Sequence, residues 1–305
     1  MRDVDSYRYC KDRQIGWALE RALPLIGSKG NRGEPAYTTT LDANLFEPLS
    51  PEARREIEQG DGDELVEKGG PPKIYAVHSS AALTVNVFHY WRHQPSLRPI
   101  VVALGLPGEE CVLLEFEAKR PIMDNPNRNV FRVDPNLDVV IHCGPESRSR
   151  EIAIECKFTE PYRPSKPEDK GLKWPYFRER QLWEGIPACR EFAGRIKSRD
   201  DHFQYLHAAQ LIKHILGLKH RNGKDGFHLV YLWYDVPHEA ADSHRQEIDE
   251  FQKIVTADGI AFSATTFQEV IDSLRKHESG CAHYCDFLTG RYILPAAGPT
   301  VDHPL

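Results

Sequence analysis

Two short segments carry acids and a lysine into apolar surroundings. Pro135-Asn136-Leu137-Asp138 leads into Val139, Val140 and Ile141, and Glu155-Cys156-Lys157 follows Ile152, Ala153 and Ile154. Residues two apart on an extended strand point to one face, so Glu155 and Lys157 share a side while Ile154, Cys156 and Phe158 take the other. Charges among such neighbours lose hydration and are normally paired or metal-bound. If the Asp138 strand lies beside the Glu155 strand, two carboxylates and an ammonium group converge. Two carboxylates suit a hard divalent cation that prefers oxygen ligands and keeps several waters, Mg²⁺ above all, with Mn²⁺ as its substitute. Such an ion lowers the pKa of a bound water and neutralises charge on a phosphate. The lysine would orient or help deprotonate that water and offset developing negative charge. These are the parts needed to hydrolyse a phosphodiester.

Acid-x-lysine triplets occur three times, as Glu117-Ala118-Lys119, Glu155-Cys156-Lys157 and Glu168-Asp169-Lys170. The last lies in a polar loop and reads as a solvated cluster. The first is on a strand, but no acid-led strand precedes it. Only the second follows such a strand, at hairpin distance. A plain cross-strand ion pair remains the structural alternative for Glu155 and Lys157.

The elements that must position these groups are legible from periodicity. Cys111–Ala118 alternates, with Val112, Leu114, Phe116 and Ala118 on one side and Glu115 and Glu117 on the other. Leu137–His142 and Arg150–Phe158 are two further strands, joined by a turn-rich linker, Cys143–Ser149, of hairpin length. Upstream, Ser79 and Ser80 cap a helix running to about Trp91, with Leu83, Val87 and Trp91 on one face. Ser96–Leu104 is another short helix. Downstream, Pro161–Pro175 is a polar loop, Asp201–Leu218 a helix striped by Leu211, Ile215 and Leu218, and Gly226–Tyr234 a buried strand. Ala240–Thr256 reads as helix, Ile260–Thr265 as strand and Phe267–Lys276 as helix. Mixed strands and helices place the chain in the α/β or α+β class. The N-terminal third is loop-rich. It has a short helix at Gln14–Leu25 and another at Pro51–Gln59, the latter capped by Ser50 with Pro51 at its first position. It reads as an extension over residues 1–75, ahead of a domain over residues 76–305.

Composition sets the outer bounds. Of 305 residues, 40% are hydrophobic and 28% charged, which excludes a disordered chain. No apolar stretch approaches the roughly 20 residues of a membrane span. The first residues are charged and lack an apolar signal core, which makes the cytoplasm the default address. A formal charge of −6 excludes a basic nucleic-acid coat and leaves room for a local basic surface. The seven cysteines, among them Cys111, Cys143 and Cys156 in apolar runs, read as small buried residues and not as a disulfide framework.

PNLD and IAIECKF, sixteen residues apart between Asp138 and Glu155, resemble the motif of the PD-(D/E)XK nuclease superfamily over roughly Ser79 to Tyr234. The resemblance implies an α/β restriction-endonuclease-like core, a central mixed β-sheet flanked by helices. It also implies a metal-dependent endonuclease acting on nucleic acid, DNA ahead of RNA, in restriction or defence. Asp138 and Glu155 would be metal ligands and Lys157 the catalytic lysine. Two departures stand out. The proline lies three residues before the aspartate, and the first helix offers Asn86 where many members carry glutamate. Asn86 would contact a water or phosphate, and Glu117 becomes the substitute carboxylate for the metal. Gln210 matches a glutamine frequent on the following helix, and would orient water or substrate unless it is only a polar flank. His207 and His214 beside it are open between metal ligands and core-edge residues. Arg163, Lys166, Lys170, Lys173, Arg178 and Arg180, interleaved with Trp174, Tyr176 and Phe177, suit phosphate contact and base stacking, or merely a solvated loop. His277, Cys281 and Cys285 read as a buried helix edge and not as a zinc site. A homodimer is left open. The rival from another class is a nucleic-acid-binding module that kept the fold and lost catalysis; a hydrolase of small phosphoesters is a third reading.

Overall fold

Apolar spacing and capping residues account for most elements of the computed structural model, which describes residues 4–30, 32–124, 131, 134–162, 171–198, 203–277 and 279–293. In chain order these are α1 (Val4–Glu20), β1 (Leu25–Ile26), β2 (Tyr37–Thr38), α2 (Pro51–Gln59), α3 (Ser80–Phe88), α4 (Arg98–Ala103), β3 (Cys111–Lys119), β4 (Asn136–Cys143) and β5 (Glu151–Lys157). Then follow α5 (Pro175–Arg178), α6 (Pro187–Ser198), α7 (Ala208–Asn222), β6 (Phe227–Trp233), α8 (Glu239–Ala257), β7 (Ala261–Thr266), α9 (Phe267–His277) and α10 (Ala282–Tyr292). The two serine caps form as the sequence predicts. Ser50 Oγ accepts the Ala53 amide and Ser79 Oγ the Ala82 amide, each at 3.2 Å, satisfying donors that a helix start leaves open. The helix predicted to reach Trp91 gives way at His89 to a tighter 3₁₀ turn, His89–His93.

The sheet has five strands in the order β3-β4-β5-β6-β7. The first three are antiparallel, and β5-β6 and β6-β7 are parallel, which requires the helical crossovers through α6–α7 and α8. This is the mixed, helix-flanked α/β sheet expected. Central β5 is covered on both faces, so Glu151 through Cys156 are all buried and only Lys157 reaches the surface region. At the edge, the ladder of β3 shifts register between Cys111 and Leu113. One added residue reverses the alternation there. Val112, expected inside, is 74% exposed, whereas Leu114, Phe116 and Ala118 are buried as predicted.

Helix α7 starts later than predicted, with His207 at its cap, and stops at Gly223, whose φ of +77° suits a residue without a Cβ. Its Gly217 packs against the backbone of Arg120, leaving no space for a Cβ, and so lets the helix close onto the chain leaving β3.

The packing draws no line at residue 75. Cys10, Leu41, Leu45, Ala53, Ile57 and Ile74 are buried in the same core as the sheet strands. The fully buried Arg291 of α10 ties the two ends of the chain together: it donates to Asn44 O at 2.7 Å, Asn44 Oδ1 at 2.6 Å and Gln14 Oε1 at 3.1 Å. Helix α10 carries no clear sequence signal and supplies this tie. No helix among the described residues is long and apolar enough to cross a membrane.

Candidate active site

The β4-β5 ladder pairs from His142↔Glu151 to Val139↔Ile154. One step further, a side chain takes over the role of the backbone. Asp138 Oδ2 accepts the Cys156 amide at 2.6 Å, which fixes the aspartate beside Glu155-Cys156-Lys157. Glu155 is fully buried. One of its oxygens takes the Lys157 ammonium; the other faces His214 Nε2 of α7 at 2.8 Å. A carboxylate only accepts, so Nε2 of His214 carries the proton. His214 thus belongs to the site as the partner that orients Glu155.

Glu117 joins from the edge strand. Phe116↔Val139 and Ala118↔Leu137 pair on either side of it, which sets Glu117 across from Asp138. Its φ is +50°, a left-handed conformation rare for a residue with a side chain, and such strain gathers at functional sites. The Asn136 amide donates to its carboxylate. Glu117 and Asp138 together line a small cavity of about 10 Å³, walled by Ile57, Ala81, Thr84 and Val85. That is close to the room one water needs.

The electrostatics divide the acids. Burial raises Asp138 well above the usual carboxylate range; the nearby Glu155 and Glu117 charges add to this, and Lys157 and the Cys156 amide only partly offset it. Burial likewise raises Glu117 to about 7, against the Asn136 hydrogen bond and with help from Glu64, Glu155 and Asp61. Burial also opposes a charge on Glu155, but Lys157 and His214 outweigh it and hold the group below the usual range. Burial would lower Lys157, yet Glu155, Asp138 and Glu160 raise it above an ordinary lysine. Lys157 is therefore a fixed cation. Of the two roles the sequence allows it, this raised pKa favours charge stabilisation.

Residues that could hold a metal follow from this balance. Glu117, Asp138 and Glu155 supply only oxygen donors, as Mg²⁺ prefers, and their mutual repulsion is what a divalent cation relieves. They do not close as a set of three to within 4.8 Å; among the described residues only Glu47, His89 and His93 do so. The donor set therefore fits pairwise ligation, with Glu117 and Asp138 about the small cavity. At the other cluster, His89 Nε2 accepts the Ser50 amide at 3.1 Å, so the ring proton sits on Nδ1, 3.0 Å from Glu47 Oε1. Burial lowers His89 to about 4 and keeps it neutral. That proton blocks the nitrogen a metal would need.

The remaining candidates separate by position. Gln210 of α7 lines a cavity of about 230 Å³ together with Lys157, Glu160, Phe203, Tyr205 and His207. Lys173 and Arg178 are exposed on either side of Tyr176. Arg163, Lys166 and Lys170 lie outside the described residues. The expectation for Asn86 is corrected. It is buried, its Oδ1 accepts the Phe46 amide at 2.6 Å, and its Nδ2 donates to Asn44 O and Tyr292 Oη at 3.1 and 2.9 Å. With its amide committed to the core, Asn86 cannot reach a phosphate or an attacking water. Cys281 and Cys285 are buried, but α9 ends at His277 and α10 begins at Ala282, so the three do not share one helix edge.

A mixed sheet whose acid-led strand lies beside an acid-x-lysine strand, with helices packed about it, defines the restriction-endonuclease-like class of the PD-(D/E)XK superfamily. Within that class, the family model described as Restriction Endonuclease associating with ARP matches residues 14–293, and the chain belongs to that family. Membership makes the chain nuclease-like and nucleic acid its substrate class. No curated protein and no solved structure gives a significant match to the chain.

Proposed function

We propose that the protein is a Mg²⁺-dependent endonuclease that hydrolyses phosphodiester bonds in DNA. The observation that carries the reading is the backbone clamp on Asp138, which sets a carboxylate with raised pKa beside the Glu155–Lys157 pair. Asp138, with Glu117 or Glu155, would hold Mg²⁺, which when bound activates water and neutralises phosphate charge. The chain's own groups do the rest. Lys157, kept cationic, stabilises the negative charge that builds on the phosphate oxygens as the phosphorus is attacked. His214 holds Glu155 in one orientation. Gln210, in the cavity beside Lys157, orients the attacking water or the scissile phosphate. Lys173 and Arg178 contact the backbone phosphates, a sequence-independent grip that suits a role in restriction or defence.

The test is plasmid cleavage with Mg²⁺, with EDTA, and by Lys157→Ala. Cleavage that needs Mg²⁺ and is lost in the variant supports the reading. A second reading draws on the completeness of the Glu155–Lys157–His214 set, which satisfies its own charges with no ion: a module that grips nucleic acid without cutting. DNA binding with no cleavage under any divalent ion would favour that reading. Equal cleavage by Lys157→Ala would remove the lysine from the mechanism.

A further inference from the structure

Of the seven cysteines, five are buried and two are not. Those two, Cys111 and Cys143, are directly opposite each other on antiparallel β3 and β4. Their sulfurs lie 2.7 Å apart. Opposed residues in an antiparallel pair have Cα atoms about 4.5–5.5 Å apart, within the span that a disulfide bridges without moving the backbone. The sequence reads both as inert packing residues. The structure instead sets them at the mouth of the sheet, where β3 shifts register and neighbouring Val112 and Leu113 are 74% and 54% exposed. A reagent from solvent therefore has a path to these sulfurs that the other five lack.

We propose that Cys111 and Cys143 form a reactive dithiol that closes to a cross-strand disulfide by exchange with a small-molecule disulfide. In the first step the thiolate of one cysteine attacks a sulfur of the reagent. A mixed disulfide forms, the reagent's S–S bond breaks, and its other half leaves as a thiolate. In the second step the other cysteine, its proton lost to water, attacks the modified sulfur. The protein S–S bond forms and the second half of the reagent leaves as a thiolate. Two protein thiols and one reagent disulfide thus become one protein disulfide and two reagent thiols, with no other oxidant. The proximity of the partner makes the second step intramolecular and fast, so the mixed disulfide does not accumulate.

The bond would fasten edge strand β3 to β4 at the end of the ladder away from the acids. Cys111 and Glu117 are six residues apart on one strand, about 20 Å at the usual rise, so closure leaves the acid cluster untouched. It would fix the edge strand in place, protecting the exposed, register-shifted end of β3 from fraying.

The experiment treats the folded, reduced full-length chain with Ellman's reagent. The expected result is release of two equivalents of coloured thiolate per chain with no retained adduct, and a protein mass lower by two hydrogens. Peptide mapping without reductant should link Cys111 to Cys143. Cys111→Ser and Cys143→Ser should each release one equivalent and keep the adduct on the remaining cysteine. Stable adducts on both cysteines of the unmodified chain, no reaction at either, or prior reaction of Cys10, Cys156, Cys189, Cys281 or Cys285 would each overturn the proposal. Plasmid cleavage before and after closure should be unchanged, and the unfolding midpoint should rise.

Discussion

Strand β5 carries two buried glutamates, one toward each end, and they meet opposite fates. Glu151 sits among cations and donors: Arg120 grips both its oxygens at 3.1 Å, Arg221 reaches it at 2.9 Å and Asn222 at 2.7 Å. Burial opposes its charge, but Arg120, Asn222 and Arg221 outweigh burial and lower its pKa. Every acceptor is used, and with Glu115 also held by Arg120 the two arginines balance the two acids. Four residues along, Glu155 is paired with Lys157 and His214, but Asp138 and Glu117 crowd beside it with no cation of their own, and both have raised pKa values. A buried acid alone therefore marks neither function nor structure; the local charge count decides. One end is a closed structural network. The other is short of positive charge, the imbalance that the proposed Mg²⁺ would relieve.

The contrast can be broken most sharply at the acid-rich end. Asp138→Asn is expected to lower the Mg²⁺-dependent cleavage rate roughly a thousandfold, about 4 kcal/mol of transition-state stabilisation, while the protein stays folded. Cleavage at parental rates would show that the acid-rich end has no part in the chemistry. The balanced end should respond in stability instead. Arg120→Ala leaves Glu151 without its bidentate partner and is expected to cost about 3 kcal/mol in urea unfolding. A loss under about 1 kcal/mol, in the range of an exposed pair, would mean the network is not the closed structure described here.

The two ends should also titrate with opposite signs. Glu151 has a lowered pKa, so its stability contribution is present above the unfolded value of 4.5 and is lost as pH falls through the folded one. Glu117, raised to about 7, binds its proton more tightly in the folded chain, so its contribution is full below 4.5 and is lost as pH rises toward 7. In EDTA, Glu117→Gln should therefore gain on the parent by about 2 kcal/mol between pH 4.5 and 7. A constant difference across that range would contradict the crowding of acids at this end. The smallest effect belongs to the basic surface. Lys173→Ala or Arg178→Ala should weaken DNA binding a few-fold, alike for all sequences, and lower the slope of log K against log salt by about 1. An unchanged slope would take these residues off the DNA path.

The trio Asp138, Glu155 and Lys157 could be read from the chain because its logic is local. A two-residue period fixes which face Glu155 and Lys157 share, and a seven-residue linker lets the two strands pair. The same locality explains Ser50 and Ser79, whose capping bonds reach only three residues ahead. Asn86 misled for the opposite reason. Its helix was read with the right start and one turn too long, but its partners are Asn44, Phe46 and Tyr292, and no spacing within a helix tells what packs against it. His214 carried a usable signal, four residues after Gln210 on the face of α7 that meets Lys157, yet its pairing with Glu155 spans 59 positions. Val112 was misplaced by a register shift, which changes pairing without changing composition.

Short-range order therefore came from residue types alone: strand faces, helix starts, and an acid-lysine triplet embedded in apolar neighbours. Folding in three dimensions decided which acids lie beside Glu155, that its two oxygens face Lys157 and His214, and that Arg291 binds the N-terminal segment into the common core. The physical reason is range. Backbone geometry and capping act over a few residues, whereas desolvation and Coulomb energy depend on every group within several ångströms, and those groups come from distant parts of the chain.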